Sequence, residues 1–391
     1  MMLVQKRGWL LLGMSVLLAA CKTTPMIAPD NVPAFAKLPA PLVQFTPSKW
    51  AMLPDWTTLD LTHSWPALLQ SCRALKAKPQ WHAVCASAEQ VDRNNSAAQH
   101  AFFEDNLIPY QVFNPDGTDQ GMITGYYEPL LKGSRVRSER FRYPLYAAPD
   151  DMLEIDLGDA YPELKGKRLR GRLQGKRVLP YYKRAEIDAG VGTLKGRELF
   201  WVDNAIELFF LQIQGSGRIE LETGQQVKVG YAEQNGYPYV SIGKKLVEMG
   251  ELKLEEASMQ GIKAWGEKHP EKLSALLELN PSYVFFRELP GNVAAPLGAL
   301  GVPLTDEYSI AVDPRAIPLG SPVFLATTQP NSEIPLNRLV LAQDTGGAIR
   351  GAVRADFFWG FGENAAVQAG RMKQQGRMWV LFPKGGEPAL N

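Results

Sequence analysis

Histidine and cysteine are scarce in this sequence of 391 residues, which contains 4 His and 3 Cys. A zinc site made of His and Cys side chains is therefore not expected, and the sequence predicts no metal and no organic cofactor. The common catalytic and phosphate-binding motifs are also missing, because there is no Gly-x-Ser-x-Gly elbow, no Walker loop and no His-Glu-x-x-His. A conventional nucleophile or metal mechanism is thus not the expectation.

The sequence also lacks a large net charge of either sign. The chain has 42 Lys and Arg against 41 Asp and Glu, a formal charge of +1, whereas a protein that binds nucleic acid is usually far more basic. Only one long apolar run exists, which excludes a multi-pass membrane protein. The hydrophobic fraction of 45% and the charged fraction of 21% are typical of globular proteins, and the length predicts two domains.

The N-terminus has the features of an export signal. Lys6 and Arg7 precede an apolar stretch from Trp9 to Ala20, which is too short to span a bilayer comfortably. Residues 1–20 are therefore predicted to be a signal peptide. The stretch ends in Leu18-Ala19-Ala20-Cys21, which resembles the lipobox of bacterial lipoproteins, where the Cys carries the lipid. A plain secretory signal, or a short anchor that happens to carry a Cys, is the alternative.

The segment after Cys21 agrees with a lipoprotein. An Asp directly after the lipidated Cys would resemble the inner-membrane retention signal, but this chain has Lys22. The resemblance therefore implies an outer-membrane lipoprotein that faces the periplasm of a Gram-negative bacterium. Residues 21–48 are predicted to form a lipidated, semi-extended tether because they have few charges and six prolines. These are Pro25, Pro29, Pro33, Pro39, Pro41 and Pro47.

Two cysteines remain in the exported chain, Cys72 and Cys85. An oxidising compartment favours a disulfide between them, and two buried free thiols are the alternative. Neither Cys has neighbours that would make it a nucleophile.

Hydrophobic periodicity predicts a β-rich α+β or all-β protein with barrel-like sheets. Helical spacing is found at 64–76, 95–105, 242–249, 255–279 and 363–374. Strand-like patterns are found at 122–129, 199–202, 208–211, 308–312, 322–325, 339–342 and 378–382. A hairpin is predicted for 218–221 and 226–229 around Thr223-Gly224.

Three aspartates stand out in the C-terminal part of the chain. Asp313, Asp344 and Asp356 each follow a β-like segment, so we expect them to converge at one end of a barrel. Aromatic residues after the third Asp, including Phe358 and Trp359, would offer apolar faces to sugar rings and desolvate a nearby carboxyl group. Desolvation raises the pKa of a carboxyl group and suits it to act as a general acid. For any single Asp, a turn or cap role is the alternative.

Two earlier segments add candidate binding residues. Tyr126, Tyr127 and Glu128 are predicted on a loop, and Gln212 and Gln214 on one face of a strand before the turn Gly215-Ser216-Gly217. Gln side chains both donate and accept hydrogen bonds, which suits sugar hydroxyl and N-acetyl groups. A solvated strand face is the alternative.

Together these motifs resemble the membrane-bound lytic murein transglycosylase A family. The resemblance is carried by Thr124-Gly125-Tyr126-Tyr127-Glu128-Pro129, by Gln212-Ile213-Gln214-Gly215-Ser216-Gly217 and by the three-Asp segment, which looks like the 3D domain. It implies a double-psi β-barrel domain made of 49–128 and 283–391, a smaller β-barrel domain inserted at 129–282, and a groove between them.

The resemblance also implies the chemistry. The family cleaves the β-1,4 bond between N-acetylmuramic acid and N-acetylglucosamine in peptidoglycan and forms a 1,6-anhydromuramoyl product without water. By motif, Asp356 is the single acid and base, and Asp344 and Asp313 are the other two aspartates. Glycan strands of peptidoglycan are the expected partner, and cell-wall synthesis proteins are further candidates. The expected substrate-binding residues are Thr124, Tyr126, Tyr127, Glu128, Gln212, Gln214, Ser216, Gly217, Phe358 and Trp359.

Two other functions stay open on the sequence. Asp344 could be the second carboxylate of an inverting peptidoglycan hydrolase, which needs a base to activate water. The chain could also be a peptidoglycan-binding lipoprotein without catalytic activity.

Overall fold

A computed structural model describes residues 42–386 and 388, apart from 166, 168, 193 and 292–294. The predicted signal peptide, Cys21 and most of the predicted tether lie outside the described residues. Within the described ranges, no helix has both the length and the apolar character needed to cross a membrane.

The described chain contains nine α-helices and seventeen strands. The helices are α1 Trp65–Leu75, α2 Pro79–Ala88, α3 Ser96–Asn106, α4 Arg184–Asp188, α5 Ala205–Gln214, α6 Ile242–Glu248, α7 Met259–Lys268, α8 Pro270–Glu278 and α9 Glu363–Arg371. The strands are β1 Gln44–Pro47, β2 Leu107–Phe113, β3 Gly121–Glu128, β4 Leu130–Ser134, β5 Tyr143–Tyr146, β6 Leu153–Ile155, β7 Leu169–Gln174, β8 Arg177–Pro180, β9 Glu198–Val202, β10 Ser216–Leu221, β11 Gln226–Gln234, β12 Val284–Glu288, β13 Ser309–Val312, β14 Pro322–Thr328, β15 Pro335–Asp344, β16 Ala355–Phe361 and β17 Lys373–Pro383.

The largest sheet closes into a barrel. Its eight strands run in the order β1-β2-β17-β14-β15-β13-β16-β3, and β17 also pairs with β3. This extra pairing joins β3, β16, β13, β15, β14 and β17 into a ring of six strands. The pairs β13–β15 and β16–β3 are parallel, and the other pairs of the ring are antiparallel. The structure thus confirms the expected β-barrel.

A second sheet is formed by the chain between β3 and β13. Its six strands run in the order β12-β11-β10-β4-β9-β5, and a bridge from Ala147 to Phe286 draws its two edges together. The predicted hairpin is confirmed as β10 and β11, with Glu220 opposite Gln226. Strand β12 pairs with β11, so this sheet extends to Glu288, beyond the expected boundary at 282.

The sequence prediction of a strand at 208–211 is wrong. These residues lie in α5, whose N-cap residue Asn204 accepts hydrogen bonds from the amides of Ile206 and Glu207. The helix is buried on two sides, because Leu208 packs into one hydrophobic cluster and Phe209 into another. Burial on two sides produces a continuous apolar run that does not show the helical period. The Gln side chains after this run therefore belong to a helix end, not to a strand face.

Other elements also differ from the predicted pattern. The expected helix at 255–279 is divided into α7 and α8 at Pro270, since Pro cannot donate the hydrogen bond that a continuous helix needs there. Helix α2 and strand β2 were not predicted. The expected helices at 64–76 and 95–105 are confirmed as α1 and α3, with Asn95 as the N-cap of α3.

Helices α1 to α3 cover the outer face of the barrel and carry the disulfide. Cys72 of α1 and Cys85 of α2 are bonded, with their Cα atoms 5.4 Å apart, which confirms the predicted pair. Both cysteines are buried in a cluster that includes Trp65, Phe324 and Trp379. The disulfide therefore joins the two helices to each other, and the shared cluster packs both against the barrel that carries the site described below.

Candidate active site

A cleft of about 150 Å³ opens where the barrel meets the C-terminal end of α5. Two of the three predicted aspartates, Asp344 and Asp356, lie on its wall. The other lining residues are Thr124, Gly125, Tyr126, Ile213, Gln214, Ala311, Thr345 and Gly346. Helix α5 belongs to the chain between β3 and β13, and the other lining residues belong to the barrel. The inserted part of the chain and the barrel therefore both contribute to this site.

The register of three strands places the two carboxyl groups on the same face. Ala311 of β13 is opposite Asp344 on one side and opposite Asp356 on the other. Directly opposite residues point to the same side of a sheet, and two strand spacings put the Cα atoms of the two aspartates about 10 Å apart. The small methyl group of Ala311 lies between them and leaves the floor of the cleft open.

A chain of hydrogen bonds orients Asp356. Arg354 Nη2 donates to Thr124 Oγ1 at 2.9 Å, and Thr124 Oγ1 donates to Asp356 Oδ1 at 2.5 Å. Since the Thr124 oxygen accepts from a guanidinium, its own proton is directed to Asp356. Among the described residues no hydrogen bond reaches Asp356 Oδ2, so this oxygen has room to carry a proton.

The surroundings of Asp356 favour its protonated form. Burial raises the pKa of Asp356 above its usual value, although the hydrogen bond from Thr124 and the positive charge of Arg354 lower it in part. A carboxyl group that keeps its proton at higher pH is suited to general acid catalysis.

Asp344 is held from three directions. The amides of Ala299 and Thr345 each donate to Oδ1 at 2.9 Å, and the Tyr126 hydroxyl donates to Oδ2 at 3.0 Å. Burial raises the pKa of Asp344 to about 6, against the effect of these hydrogen bonds, and the charge of Asp356 raises it further. Both carboxyl groups are thus shifted toward protonation, and each disfavours ionisation of the other.

Asp313 lies outside the cleft. Its buried carboxylate accepts from Arg315 at 3.0 and 2.7 Å and from the Gly351 amide at 3.0 Å. Burial alone would raise the pKa of Asp313, but these hydrogen bonds lower it below its usual value. The structure therefore brings only two of the three aspartates together, and Asp313 fastens the loop that connects Asp344 to Asp356.

The two predicted Gln residues have different surroundings. Gln214 lines the cleft, and its Oε1 accepts from the Tyr127 amide at 3.0 Å, which joins the end of α5 to β3. Gln212 is buried and accepts from Arg184, away from the cleft lining. Ile213, between them, is 40% exposed and lines the cleft. Sequence reasoning missed Ile213 because the strand prediction placed its side chain on the opposite face.

The predicted residues Glu128, Ser216 and Gly217 lie where the barrel meets the second sheet. Glu128 is buried and accepts from Arg218 Nε at 3.0 Å and Nη2 at 2.7 Å, a pair that joins β3 of the barrel to β10 of the second sheet. Ser216 and Gly217 begin β10 and are also buried. At Gly217 a Cβ atom would clash with the Leu211 side chain of α5 and would lie 2.9 Å from the Pro129 carbonyl oxygen, so there is no room for a side chain.

Two family models match the chain. One is described as the MltA specific insert domain and matches residues 122–287, and the other is described as the 3D domain and matches residues 308–382. Membrane-bound lytic murein transglycosylase A of Escherichia coli strain K12 is 35% identical over 280 residues, which cover 70% of this chain and 68% of the relative. The chain belongs to the membrane-bound lytic murein transglycosylase A family.

Solved structures of family members extend the similarity to nearly the whole chain. The crystal structure of MltA from Neisseria gonorrhoeae, monoclinic form, is 40% identical with a TM-score of 0.77, and the match covers 90% of this chain and 95% of that one. Escherichia coli MltA with bound chitohexaose is 27% identical with a TM-score of 0.64, covering 87% of this chain and 94% of that one. The closed barrel described above is thus the double-psi β-barrel of this family, with the second sheet inserted.

The aromatic residues after Asp356 do not line the cleft. Phe358 is buried and packs against Tyr126, with ring centroids 5.1 Å apart, so it supports the tyrosine that holds Asp344. Trp359 lies in the barrel core, where its Nε1 donates to Met372 Sδ at 3.3 Å. Exposed faces for sugar rings, expected from the sequence, are therefore not found at these two positions.

Arg354 is a second functional candidate, after Ile213, that sequence reasoning missed. Its position in the segment Arg-Ala-Asp is two residues before Asp356, and side chains two apart along a strand share a face. This spacing of two residues was the signal in the sequence that could have pointed to Arg354. Among the described residues, no group of three or more His, Cys, Asp or Glu side chains is placed to hold a metal ion.

Proposed function

We propose that the cleft binds a glycan strand of murein and that Asp356 cleaves it, first as an acid and then as a base. Membership of the family makes the chain a peptidoglycan lytic transglycosylase. The observation that supports Asp356 most directly is its place in the cleft, with a raised pKa and with one carboxyl oxygen held by Thr124.

In the first step, the proton on Asp356 Oδ2 passes to the oxygen of the β-1,4 bond between N-acetylmuramic acid and N-acetylglucosamine. The bond from that oxygen to C1 of the muramic acid breaks, and the N-acetylglucosamine end leaves as an alcohol. Arg354 and Thr124 stabilise the carboxylate that forms, because one contributes positive charge and the other a hydrogen bond.

In the second step, the C6 hydroxyl of the same muramic acid bonds to C1 and closes the 1,6-anhydro ring. Asp356, now a carboxylate, takes the proton of that hydroxyl and returns to its acid form. The hydroxyl is tethered to the reacting sugar, so its effective concentration is far higher than that of an external group. No water is consumed, and one carboxyl group suffices.

Glycan binding in the cleft is supported by the relative that was crystallised with chitohexaose. In this chain, Ile213 offers an exposed apolar surface at the cleft, and Gln214 adds an amide beside it. These two residues line the same cleft as the aspartates and suit the apolar and polar faces of a sugar.

The product decides between this mechanism and a two-carboxylate hydrolase. We expect purified protein that digests murein in H₂¹⁸O to release 1,6-anhydromuropeptides without heavy oxygen, as measured by mass spectrometry. Heavy oxygen at a reducing end would refute the single-Asp mechanism and would favour Asp344 as a base that activates water. Absence of any cleavage would leave only glycan binding.

The named relatives are membrane-bound, and we propose that this chain is held at the outer membrane, facing the periplasm, by lipid on Cys21. The support is the sequence Leu18-Ala19-Ala20-Cys21 after a short apolar run, followed by Lys22. Several acyl chains together give a stable anchor, since each buried CH₂ group contributes about 0.8 kcal/mol.

Substitution Cys21→Ser should move the protein from the membrane fraction to the soluble fraction. The variant should keep its fold because Cys21 lies outside the compact unit Pro41–Asn391. Fractionation followed by immunoblotting measures the change, and Thr24→Ser serves as the control that alters the same segment and keeps Cys21. If Cys21→Ser still sediments with outer membranes, the anchor is elsewhere.

A further inference from the structure

The three-stranded sheet β6-β7-β8 has an apolar face that the described chain covers only in part. Leu173 of β7 is opposite Val178 of β8, and Ile155 of β6 is opposite Leu169 of β7. Leu173 is 64% exposed and Val178 is 51% exposed. Within the described ranges, no residue of these three strands belongs to a buried hydrophobic cluster. Water therefore contacts apolar side chains that an ordinary sheet would bury.

A groove continues this face. It has a volume of about 500 Å³ and lies between the three-stranded sheet and the turn at 235–237. Most of its lining is apolar and includes Ile155, Leu157, Leu169, Val178 and Pro180. The groove does not share a lining residue with the catalytic cleft, so it is a separate feature of the surface.

Strands β7 and β8 and the residues that flank them are strongly basic. Residues 165–184 contain nine Lys or Arg and no Asp or Glu, although the whole chain has a formal charge of only +1. Arg170 is neutralised by Glu154 and Glu233, and Arg172 stacks on a neighbouring ring. Within the described residues, the exposed side chains of this segment without an ion pair are Lys165, Lys167, Lys176, Arg177 and Lys183.

We propose that the three-stranded sheet docks on an anionic phospholipid bilayer. The hairpin end presents the exposed pair Leu173 and Val178 beside Lys176 in the turn and Arg177 at the start of β8. An anionic bilayer accepts both features at once, because its headgroups attract basic side chains and its acyl boundary takes up apolar ones. The sheet thereby adds a second, reversible contact with the membrane.

Other occupants fit less well. Two copies of the chain that met through this face would bring their basic segments together, and like charges repel. A soluble polyanion would satisfy the charges of Lys176 and Arg177 but would leave Leu173 and Val178 in water. The bilayer is the partner that satisfies both observations.

Vesicle binding tests the proposal. The protein is the chain that begins at Lys22, which lacks Cys21 and retains the whole compact unit Pro41–Asn391. We expect this protein to float with phosphatidylglycerol-containing vesicles about tenfold or more better than with phosphatidylcholine vesicles, and less well as salt is raised. Lys176→Glu with Arg177→Glu should lower that binding about tenfold or more. Leu173→Ser with Val178→Ser should lower it as well.

The matched control reverses two exposed charges elsewhere, Lys76→Glu with Lys78→Glu, and should bind vesicles as the parent protein does. Muropeptide release from isolated murein without vesicles should be the same for all variants, which shows that they are folded. Equal binding of the parent protein to both kinds of vesicle would overturn the proposal. The proposal would also be overturned if the double variants at 176 and 177 and at 173 and 178 bind vesicles as well as the control variant does. Sedimentation velocity gives a further check. If the parent protein is a dimer and only Leu173→Ser with Val178→Ser makes it a monomer, the face is a contact between copies and the proposal is overturned.

Discussion

Replacing Asp356 with Asn should lower the rate of muropeptide release from murein about 100-fold or more. Asn keeps the size of the side chain, and its oxygen can still accept the hydrogen bond from Thr124. It cannot deliver a proton to the glycosidic oxygen or take one from the C6 hydroxyl. Both steps of the reaction therefore lose their only proton carrier, while the fold keeps its contacts.

The measurement is the release of soluble muropeptides, with thermal unfolding as the check on folding. Asp159→Asn is the matched control, since Asp159 is exposed in a loop after β6 and should leave the rate unchanged. Binding of Asp356→Asn to intact murein should also be unchanged. A variant that keeps a tenth or more of the parent rate would assign the acid to another group.

Replacing Asp344 with Asn should change the pH dependence of the reaction rather than abolish it. The pKa of Asp344 is raised to about 6, so at pH 7 this carboxyl is mostly ionised in the parent protein. Its negative charge then helps Asp356 to keep a proton, because the coupling between two carboxyl groups is mutual. Asn removes the charge, the pKa of Asp356 falls, and less of the acid form is present.

The limb of the pH–rate profile along which activity falls with rising pH should therefore move to lower pH in Asp344→Asn. At pH 7 we expect about a tenfold lower rate. Below pH 5 the two profiles should converge, since Asp344 is then uncharged in the parent protein as well. The product should still be the anhydro sugar. A rate that falls equally at every pH would point to structural damage, and loss of all cleavage would favour the two-carboxylate hydrolase.

The motifs predicted which residues form the site better than they predicted how those residues are arranged. Asp344, Asp356, Thr124, Tyr126 and Gln214 do meet at one cleft, and a resemblance carried by short motifs was enough to select them. Which of their neighbours also face the cleft depends on strand register, and a shift of one residue reverses every side chain.

Burial is what the motifs could not predict. Phe358 resembles a sugar-binding aromatic in the sequence, but it fills the space beneath Tyr126. Glu128 looks like a polar binding residue, but its partner Arg218 is 90 positions away along the chain and becomes visible only when the two sheets meet. A residue can therefore belong to a functional motif because it builds the site, without touching the substrate.

Helix α5 shows a second limit of structure prediction from the sequence. Its capping residues, Asn204 at the start and Gly215 in the left-handed conformation at the end, were present in the sequence. The apolar run between them masked the helical period because both sides of the helix are buried. Capping signals were thus the better guide here than periodicity.

The closure of the barrel has a consequence for how the protein matures. Strand β3 ends at Glu128, but its neighbours β16 and β17 come only after the whole second sheet, and the bond from Thr124 to Asp356 joins positions 232 apart. Such distant pairings form late and slowly in folding. An emerging chain can complete the second sheet while β3 still has no partner, and it has no acid site until β16 arrives. By the mechanism proposed above, the order of the strands therefore keeps an incomplete chain without lytic activity.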